Sequence, residues 1–255
     1  MTELIESTLE NGVRRVKINR ADKRNALNGP MYEALTEALR DAEENPAVAV
    51  VLIHGVEGCF TAGNDLADFL SRKDTTGARP AHGLIRALTE TTVPLIAAVD
   101  GPAVGIGTTM LLHCDFVYAT PRAKLALPFV NLGVCPEAGS SLLLPRLVGH
   151  LRAAELLLLG DTFDGRTAHA MGLVSALCEP GELLATAQAT ANRLAAKPRE
   201  ALRVSKALMK RSEEAMSTRV DVEIEHFSAL LAQPAAREIM TAFVEKRAPN
   251  PARYA

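Results

Sequence analysis

The sequence predicts an α/β fold, a mainly parallel sheet flanked by helices and followed by a helical C-terminal region. Three observations predict it. Near-continuous apolar runs at Ala47–Ile53, Pro94–Val99 and Asp115–Ala119 have the character of strands buried on both faces. Candidate helices around 79–91 and 107–113 fall between them, and alternation of strand and helix implies a parallel sheet covered by helices. After Pro180 only helical patterns remain.

Taken in order, Leu4–Leu9 and Val13–Ile18 flank Glu10-Asn11-Gly12, and Asn-Gly between apolar segments is a hairpin turn signal. Asn28 has the chemistry of a helix N-cap, with Pro30 near the first turn and apolar residues at Met31, Leu35 and Leu39. Residues 71–80 are polar and rich in breakers, which makes them the best candidate for a mobile loop. Val220, Ile224, Phe227 and Leu231 recur at steps of 4, 3 and 4, one apolar face of a helix, and Pro198 and Pro234 punctuate this part of the chain. The division read from these patterns is an α/β core over 1–190 and a helical region over 191–255.

Composition narrows the function. The chain has 255 residues, 48% hydrophobic and 23% charged, with a formal net charge of −2. A nucleic-acid binder normally carries a basic surplus, so that class is not expected, whereas a local Lys/Arg cluster is enough for one polyphosphate ligand. Cys59, Cys114, Cys135 and Cys178 form no CxxC pair and give neither a zinc site nor a disulfide framework. The first residues lack the pattern of a signal peptide, and the longest leucine run, Leu156–Leu159, is far short of a membrane span. The expected setting is the cytoplasm or an organelle matrix, with no membrane association. The six histidines show no HxxxH or HExxH spacing, and Ser140 and Ser141 lack a GxSxG elbow.

Three segments have the chemistry of a site. Phe60-Thr61-Ala62-Gly63-Asn64-Asp65-Leu66 is a small-residue turn after a buried strand, where backbone N–H groups can approach a ligand or where Asp65 simply caps a helix. Asp100-Gly101-Pro102-Ala103-Val104-Gly105-Ile106-Gly107 opens a helix after a strand, suiting an anionic oxygen or a tight helix–strand contact. It is no dinucleotide fingerprint, because Met110 stands where the third glycine belongs. Pro136 and Glu137, before Ala138-Gly139-Ser140-Ser141, fit the first turn of a helix. The helix dipole would lower the pKa of Glu137 there, an apolar pocket would raise it, and the sequence leaves both open.

Together these segments resemble the crotonase (enoyl-CoA hydratase/isomerase) superfamily over nearly the whole chain. Asn19-Arg20 and Lys23-Arg24-Asn25-Ala26-Leu27 resemble its early coenzyme A segment, Phe60–Leu66 its first oxyanion-hole segment and Gly101–Gly107 its second. Cys114-Asp115, Gly160-Asp161, Ala170–Val174 and Ala242–Arg247 follow in family order. The resemblance implies a spiral of strand-strand-helix turns with a C-terminal helical trimerisation region, assembling as a homotrimer or a hexamer. It implies an acyl-CoA thioester substrate, with coenzyme A part of that substrate and no separate cofactor or metal. The backbone N–H groups of Asn64 and Ile106 would hold the thioester oxygen, and the Ala62 carbonyl would meet the adenine. Lys23, Arg24 and, from a neighbouring subunit, Lys246 would serve the phosphates. Ala26, Gly63, Asp65, Leu66, Gly105 and Phe129 complete the implied substrate contacts.

The family's hydratases use two glutamates, and the matching positions here are Thr109 and Phe129. Hydration needs one group for the water and one for the α-proton, and neither residue can supply them. Glu137 remains, in a Pro-Glu segment similar to that of Δ3,Δ2-enoyl-CoA isomerases, where a single carboxylate carries the proton. The resemblance therefore implies a 3-enoyl-CoA to 2-enoyl-CoA isomerase with Glu137 as acid/base. The alternatives are a hydratase or another crotonase-type reaction such as oxepin-CoA formation, with Glu137 helped by Asp65 or Asp68, and a non-catalytic CoA-binding homologue.

Overall fold

Asn11 and Gly12 both take positive φ, 50° and 80°, as a two-residue turn between right-twisted strands demands. In the computed structural model, which describes residues 3–71, 80–210, 216–250 and 253, this turn joins β1 (Ile5–Glu10) antiparallel to β2 (Val13–Ile18). From β2 onward the large sheet is parallel. It adds β3 (Val50–His54), β4 (Leu95–Val99), β6 (Phe116–Ala119) and β9 (Ala176–Leu177), in the order β1-β2-β3-β4-β6-β9. Every residue of β3 and β4 is buried, as their unbroken apolar runs predict.

A second, smaller layer runs beside it. Thr61 bridges Ala103 of β5 (Pro102–Val104), β5 pairs in parallel with β7 (Lys124–Ala126), and β7 pairs with β8 (Phe163–Asp164). Successive turns of chain thus lay one strand on the large sheet, one short piece on the second layer, and then a helix. After β3 and Thr61 come α2 (Leu66–Ser71) and α3 (Pro80–Glu90), and after β4 and β5 comes α4 (Ile106–Thr109), continued by a 3-10 turn over Met110–His113. The expected mobile loop at 71–80 lies, over 72–79, outside the described residues; Ser71 closes α2 and Pro80 opens α3.

α1 (Gly29–Glu44) begins where its signals predict, with the Asn28 side chain accepting from the Met31 amide and Pro30 in the first turn. With α3 it covers one face of the sheet in a core that includes Leu35, Leu39, Ile53, Leu84 and Leu88. After α6 (His150–Ala154) and α7 (Gly165–Ala170), α8 (Leu183–Ala195) covers the other face through Leu183, Ala187 and Ala191 against Val50, Leu52 and Ile96.

Three further helices complete the helical region: α9 (Arg199–Met209), α10 (Met216–Leu231) and α11 (Pro234–Val244). α9 is tied down through Lys206, 2% exposed, whose Nζ donates to the Val93 carbonyl and pairs with Asp115, each at 2.7 Å. α10 turns the predicted face inward, with Val220, Phe227 and Leu231 buried. Phe227 and Leu231 join a separate core with Phe129, Leu144 of α5 (Ser140–Val148) and Met240 of α11. No helix among the described residues is long and apolar enough to cross a membrane.

Candidate active site

Two segments of the second layer are stitched together by their backbones. Thr61 N donates to Pro102 O at 2.8 Å, and Val104 N donates to Thr61 O at 3.1 Å. On the other side Leu27 forms a parallel bridge with Asn64: Leu27 N donates to Gly63 O at 2.8 Å and Asp65 N to Leu27 O at 2.9 Å. In a parallel bridge the flanking residues take the bonds, so the Asn64 amide itself points away from Leu27. The Ile106 amide is one of the orphan N–H groups at the start of α4. Among the described residues, neither amide donates to a backbone carbonyl.

Small residues are required where these segments touch. Gly63 has φ +85°, and a Cβ there would lie 2.5 Å from the Val104 carbonyl oxygen. Gly107 passes so close to Thr61 that a Cβ would meet the threonine methyl at 2.6 Å. Buried side chains lock the turn further. Asn25 receives the Arg20 amide on Oδ1 at 2.7 Å and directs Nδ2 to the carbonyls of Ile18, Cys59 and Phe60, each at 3.0 Å. Asp100, just before β5, accepts from the Gly58 amide, the Thr120 hydroxyl and the Arg122 guanidinium at 2.6–2.8 Å. Arg122 above all, with Thr120 and Gly58, holds the Asp100 carboxyl down to about 2.

Glu137 approaches from a different element. The sequence places it in the first turn of a helix, but α5 starts only at Ser140. Ala138 and Gly139 both take left-handed conformations, φ 57° and 69°, which no helix tolerates in succession, so Glu137 sits in the turn before α5 and outside its first turn. Dipole stabilisation is therefore absent and burial dominates. Glu137 keeps some accessible surface, as a group that must meet a ligand does, yet its surroundings push its carboxyl up to about 8. The Thr109 hydroxyl, donating to Glu137 Oε1 at 2.5 Å, opposes that rise, and the charge of Glu223 adds to it.

Glu223 lies on α10, between Val220 and Phe227 on the same apolar face, and is buried. It accepts from the Gly139 amide, the Ser141 amide and the Ser141 hydroxyl. Burial raises its pKa, and those donors partly offset the rise. From below, His113 Nε2 donates to the Ala138 carbonyl at 2.8 Å; burial lowers this imidazole to about 4 and keeps it neutral.

Tyr32 of α1, Asn64, Phe69 of α2, His82 and Ile85 of α3, Glu137 and Phe227 meet around a small pocket, about 20 Å³ in volume. Glu223 and Ile224 of α10 also line it. Phe69 and Phe227 pack edge to face at 5.9 Å. The Tyr32 hydroxyl donates to the Asn64 side-chain oxygen, and its pKa is raised by burial first and by Glu137 and Asp68 after it. The structure thus brings Asn64 and Glu137 to one pocket and seams the Ile106 segment, with Gly105 at φ +55°, to the Asn64 segment.

The other sequence-predicted residues fall around it. Lys23 and Arg24 are exposed on a 3-10 turn after β2, with Ala26 following and the Arg24 carbonyl accepting from the Ala62 amide at 3.0 Å. Asp65 pairs with Arg20 at 2.8 Å and caps α2 through the Ala67 and Asp68 amides, while Leu66 opens that helix. Burial alone would raise the Asp65 carboxyl, but Arg20 and those amides outweigh it and hold it low. Phe129 is buried in the core beneath, with Phe227, and Lys246 is exposed in the turn after α11, which packs on α2.

Tyr32, His82 and Glu223 are absent from the residues that sequence reasoning singled out. Glu223 alone left a signal, a carboxylate on the apolar stripe of α10; Tyr32 and His82 sit in helical patterns indistinguishable from ordinary packing.

Comparison with known proteins agrees with this architecture. Residues 8–252 match the enoyl-CoA hydratase/isomerase family. The chain is 34% identical over 260 residues to the 1,2-epoxyphenylacetyl-CoA isomerase of Escherichia coli K12, covering 98% of each. It is 36% identical over 242 residues to the crotonyl-CoA hydratase of Syntrophomonas wolfei, covering 91% of this chain and 92% of that one. Among solved structures, Pseudomonas aeruginosa OdaA superposes with a TM-score of 0.89 at 45% identity, covering 95% of this chain and 99% of that one. An isomerase and a hydratase thus stand at similar distance. With a family match spanning almost its full length and the crotonase fold in its solved neighbours, this chain belongs to the enoyl-CoA hydratase/isomerase family.

Proposed function

We propose that this enzyme moves the double bond of a 3-enoyl-CoA to the 2-position, with Glu137 as the one group that carries the proton. The observation that carries the reading is the pairing of Glu137 with Thr109. At a position where the family's hydratases keep a glutamate, this chain has a hydroxyl that donates to Glu137. Phe129, at the other, is apolar and buried. One carboxylate then does all the proton transfer, which suits isomerisation and leaves hydration without a second group.

In the proposed reaction the thioester oxygen lies against the Asn64 and Ile106 amides. Glu137 removes a proton from C2, the electrons spread over the dienolate onto that oxygen, and Glu137 returns the proton at C4. A preorganised N–H donor to a developing oxyanion is worth roughly 3–4 kcal/mol in transition-state energy. A carboxyl near pH 8 suits this cycle, being basic enough to take the proton and acidic enough to give it back. Coenzyme A belongs to the substrate and no further cofactor is invoked. Lys23, Arg24 and Lys246 are assigned to its phosphates and Ala62 to its adenine.

Asp65, held low and bound to Arg20, is a poor second proton carrier, which disfavours the hydratase reading. Assembly as a trimer, or as a hexamer of two trimers, is part of the proposal. It is supported by exposed apolar side chains clustered in sequence at Leu147, Leu151, Leu158 and Leu159, with Leu151 83% exposed. Offering purified enzyme 3-enoyl-CoA and 2-enoyl-CoA side by side tests the reaction. Conversion of the first without hydration of the second is expected, and strong hydration of the second would refute the single-carboxylate argument.

A further inference from the structure

Glu223 is a buried carboxylate that the proposed reaction does not use, although it lines the same pocket as Glu137. Both of its oxygens are occupied. Oε2 accepts from the Gly139 amide, and Oε1 from the Ser141 amide at 3.3 Å and from the Ser141 hydroxyl. The three donors occupy most of its lone pairs and favour its ionised form against the burial that raises its pKa, which leaves it poorly placed to take a substrate proton. What it holds is the turn that carries Glu137. Gly139 and Ala138 are both left-handed there, and Ala138 is pinned from the opposite side by His113. Glu223 therefore stands in for the side-chain cap that α5 lacks, since its own N-cap residue is Gly139.

We infer that Glu223 is a positioning residue for Glu137, fixing the 137–141 turn through its three donors and presenting a fixed negative charge to the pocket in which Glu137 works. The inference rests on the reading of Glu137 as the acid/base. Other groups face Glu137 as well. Tyr32 comes from α1 with Asp68 of α2 acting on it, His82 from α3, Thr109 from α4 and Cys135 from the segment just before Glu137, and Arg219 stands beside Glu223 on α10. Among these, Glu223 is the anion that acts on Glu137 while also bonding its turn. Its position on α10 makes the helical region part of the chemistry: a charge from a helix remote in sequence adds to the burial that chiefly raises the Glu137 carboxyl.

The test is Glu223→Gln and Glu223→Asp in the full-length enzyme, read by the pH profile of kcat/KM and by infrared titration of the Glu137 carboxyl. The latter is the C=O band that disappears in Glu137→Gln, and it needs no turnover. Wild type should titrate near pH 8 in both. Glu223→Gln removes the charge and places an amide against N–H donors, so the midpoint should fall by roughly half a pH unit or more, with a several-fold loss of kcat. Glu223→Asp keeps the charge on a shorter arm, so kcat should fall while the midpoint stays. If Glu223→Gln does not fold, the Asp variant decides alone: a midpoint displaced in it, or a kcat equal to wild type, overturns the inference. An unmoved midpoint in Glu223→Gln overturns it too, whatever happens to kcat. Full activity in Glu137→Gln would instead overturn the acid/base assignment, and the infrared midpoint would still report whether Glu223 governs Glu137.

Discussion

Replacing Glu137 by Gln removes the proposed proton carrier while keeping the size of the side chain and its acceptance of the Thr109 hydroxyl. General acid–base catalysis by a positioned side chain contributes on the order of 100- to 10,000-fold, and a comparable loss of kcat is expected. The wild-type pH dependence follows from the same residue. With its pKa at about 8, Glu137 is roughly one-tenth ionised at pH 7 and roughly one-hundredth at pH 6. The value of kcat/KM should therefore rise about tenfold per pH unit below 8 and level off above it, whereas an unshifted glutamate would give a flat profile from pH 6 to 8. The assay follows the ultraviolet absorbance of the conjugated thioester formed from 3-enoyl-CoA. A C2-deuterated substrate adds a second reading, because one carboxyl serving both carbons should pass part of the label to C4. A flat profile between pH 6 and 8, or a Glu137→Gln variant retaining a tenth or more of the activity, would refute the reasoning.

Thr109→Val removes the hydroxyl that stabilises ionised Glu137, so the rising limb of kcat/KM should move to higher pH; a limb unmoved or shifted down would contradict the role given to Thr109. Asp100→Asn breaks the bonds that hold Asp100 at about 2. Because that folded-state pKa lies below the unfolded one, the stabilisation is present above about pH 4 and lost as pH falls toward 2. The variant should lose about 2 kcal/mol at pH 7 and converge on wild type near pH 2 in denaturant titrations. Gly63→Ala puts a Cβ 2.5 Å from Val104 O at φ +85°. A loss of about 2 kcal/mol or more, seen as a fall in Tm on the order of 4–8 °C together with loss of activity, is expected, and an unchanged Tm would show that the seam can yield.

Much of this was legible in the sequence because it is written in local rules. The Asn11-Gly12 turn, the Asn28 cap and the apolar runs of β3 and β4 each depend on residues within a few positions of one another. The turn before α5 was misread because its start is set from outside. Pro136-Glu137 has helix-opening chemistry, but Ala138 adopts a left-handed conformation that nothing local requires, and Glu223, 84 residues away from Gly139, supplies the cap. The pKa of Glu137 escaped sequence reasoning for the same reason, since its pocket is assembled from four helices and two connecting segments far apart in the chain. The glycines of the seam were visible as glycines, but what each makes room for, a carbonyl at Gly63 and a threonine methyl at Gly107, is a fact of packing.

That the two proposed oxyanion donors are main-chain groups shapes how the protein will answer to random substitution. No codon change at Asn64 deletes its amide other than one to proline, so a mutational scan should find the donor's own position forgiving of side chains that fit beside Tyr32. Intolerance should appear one residue upstream, at Gly63, and at Gly107, which bear no donor and touch no proton. A map of mutational sensitivity would then outline the frame around the reacting oxygen and leave its interior faint. Selection for new acyl groups, acting on Phe69, Ile85, Ile224 and Phe227, could proceed across the helices without disturbing that frame.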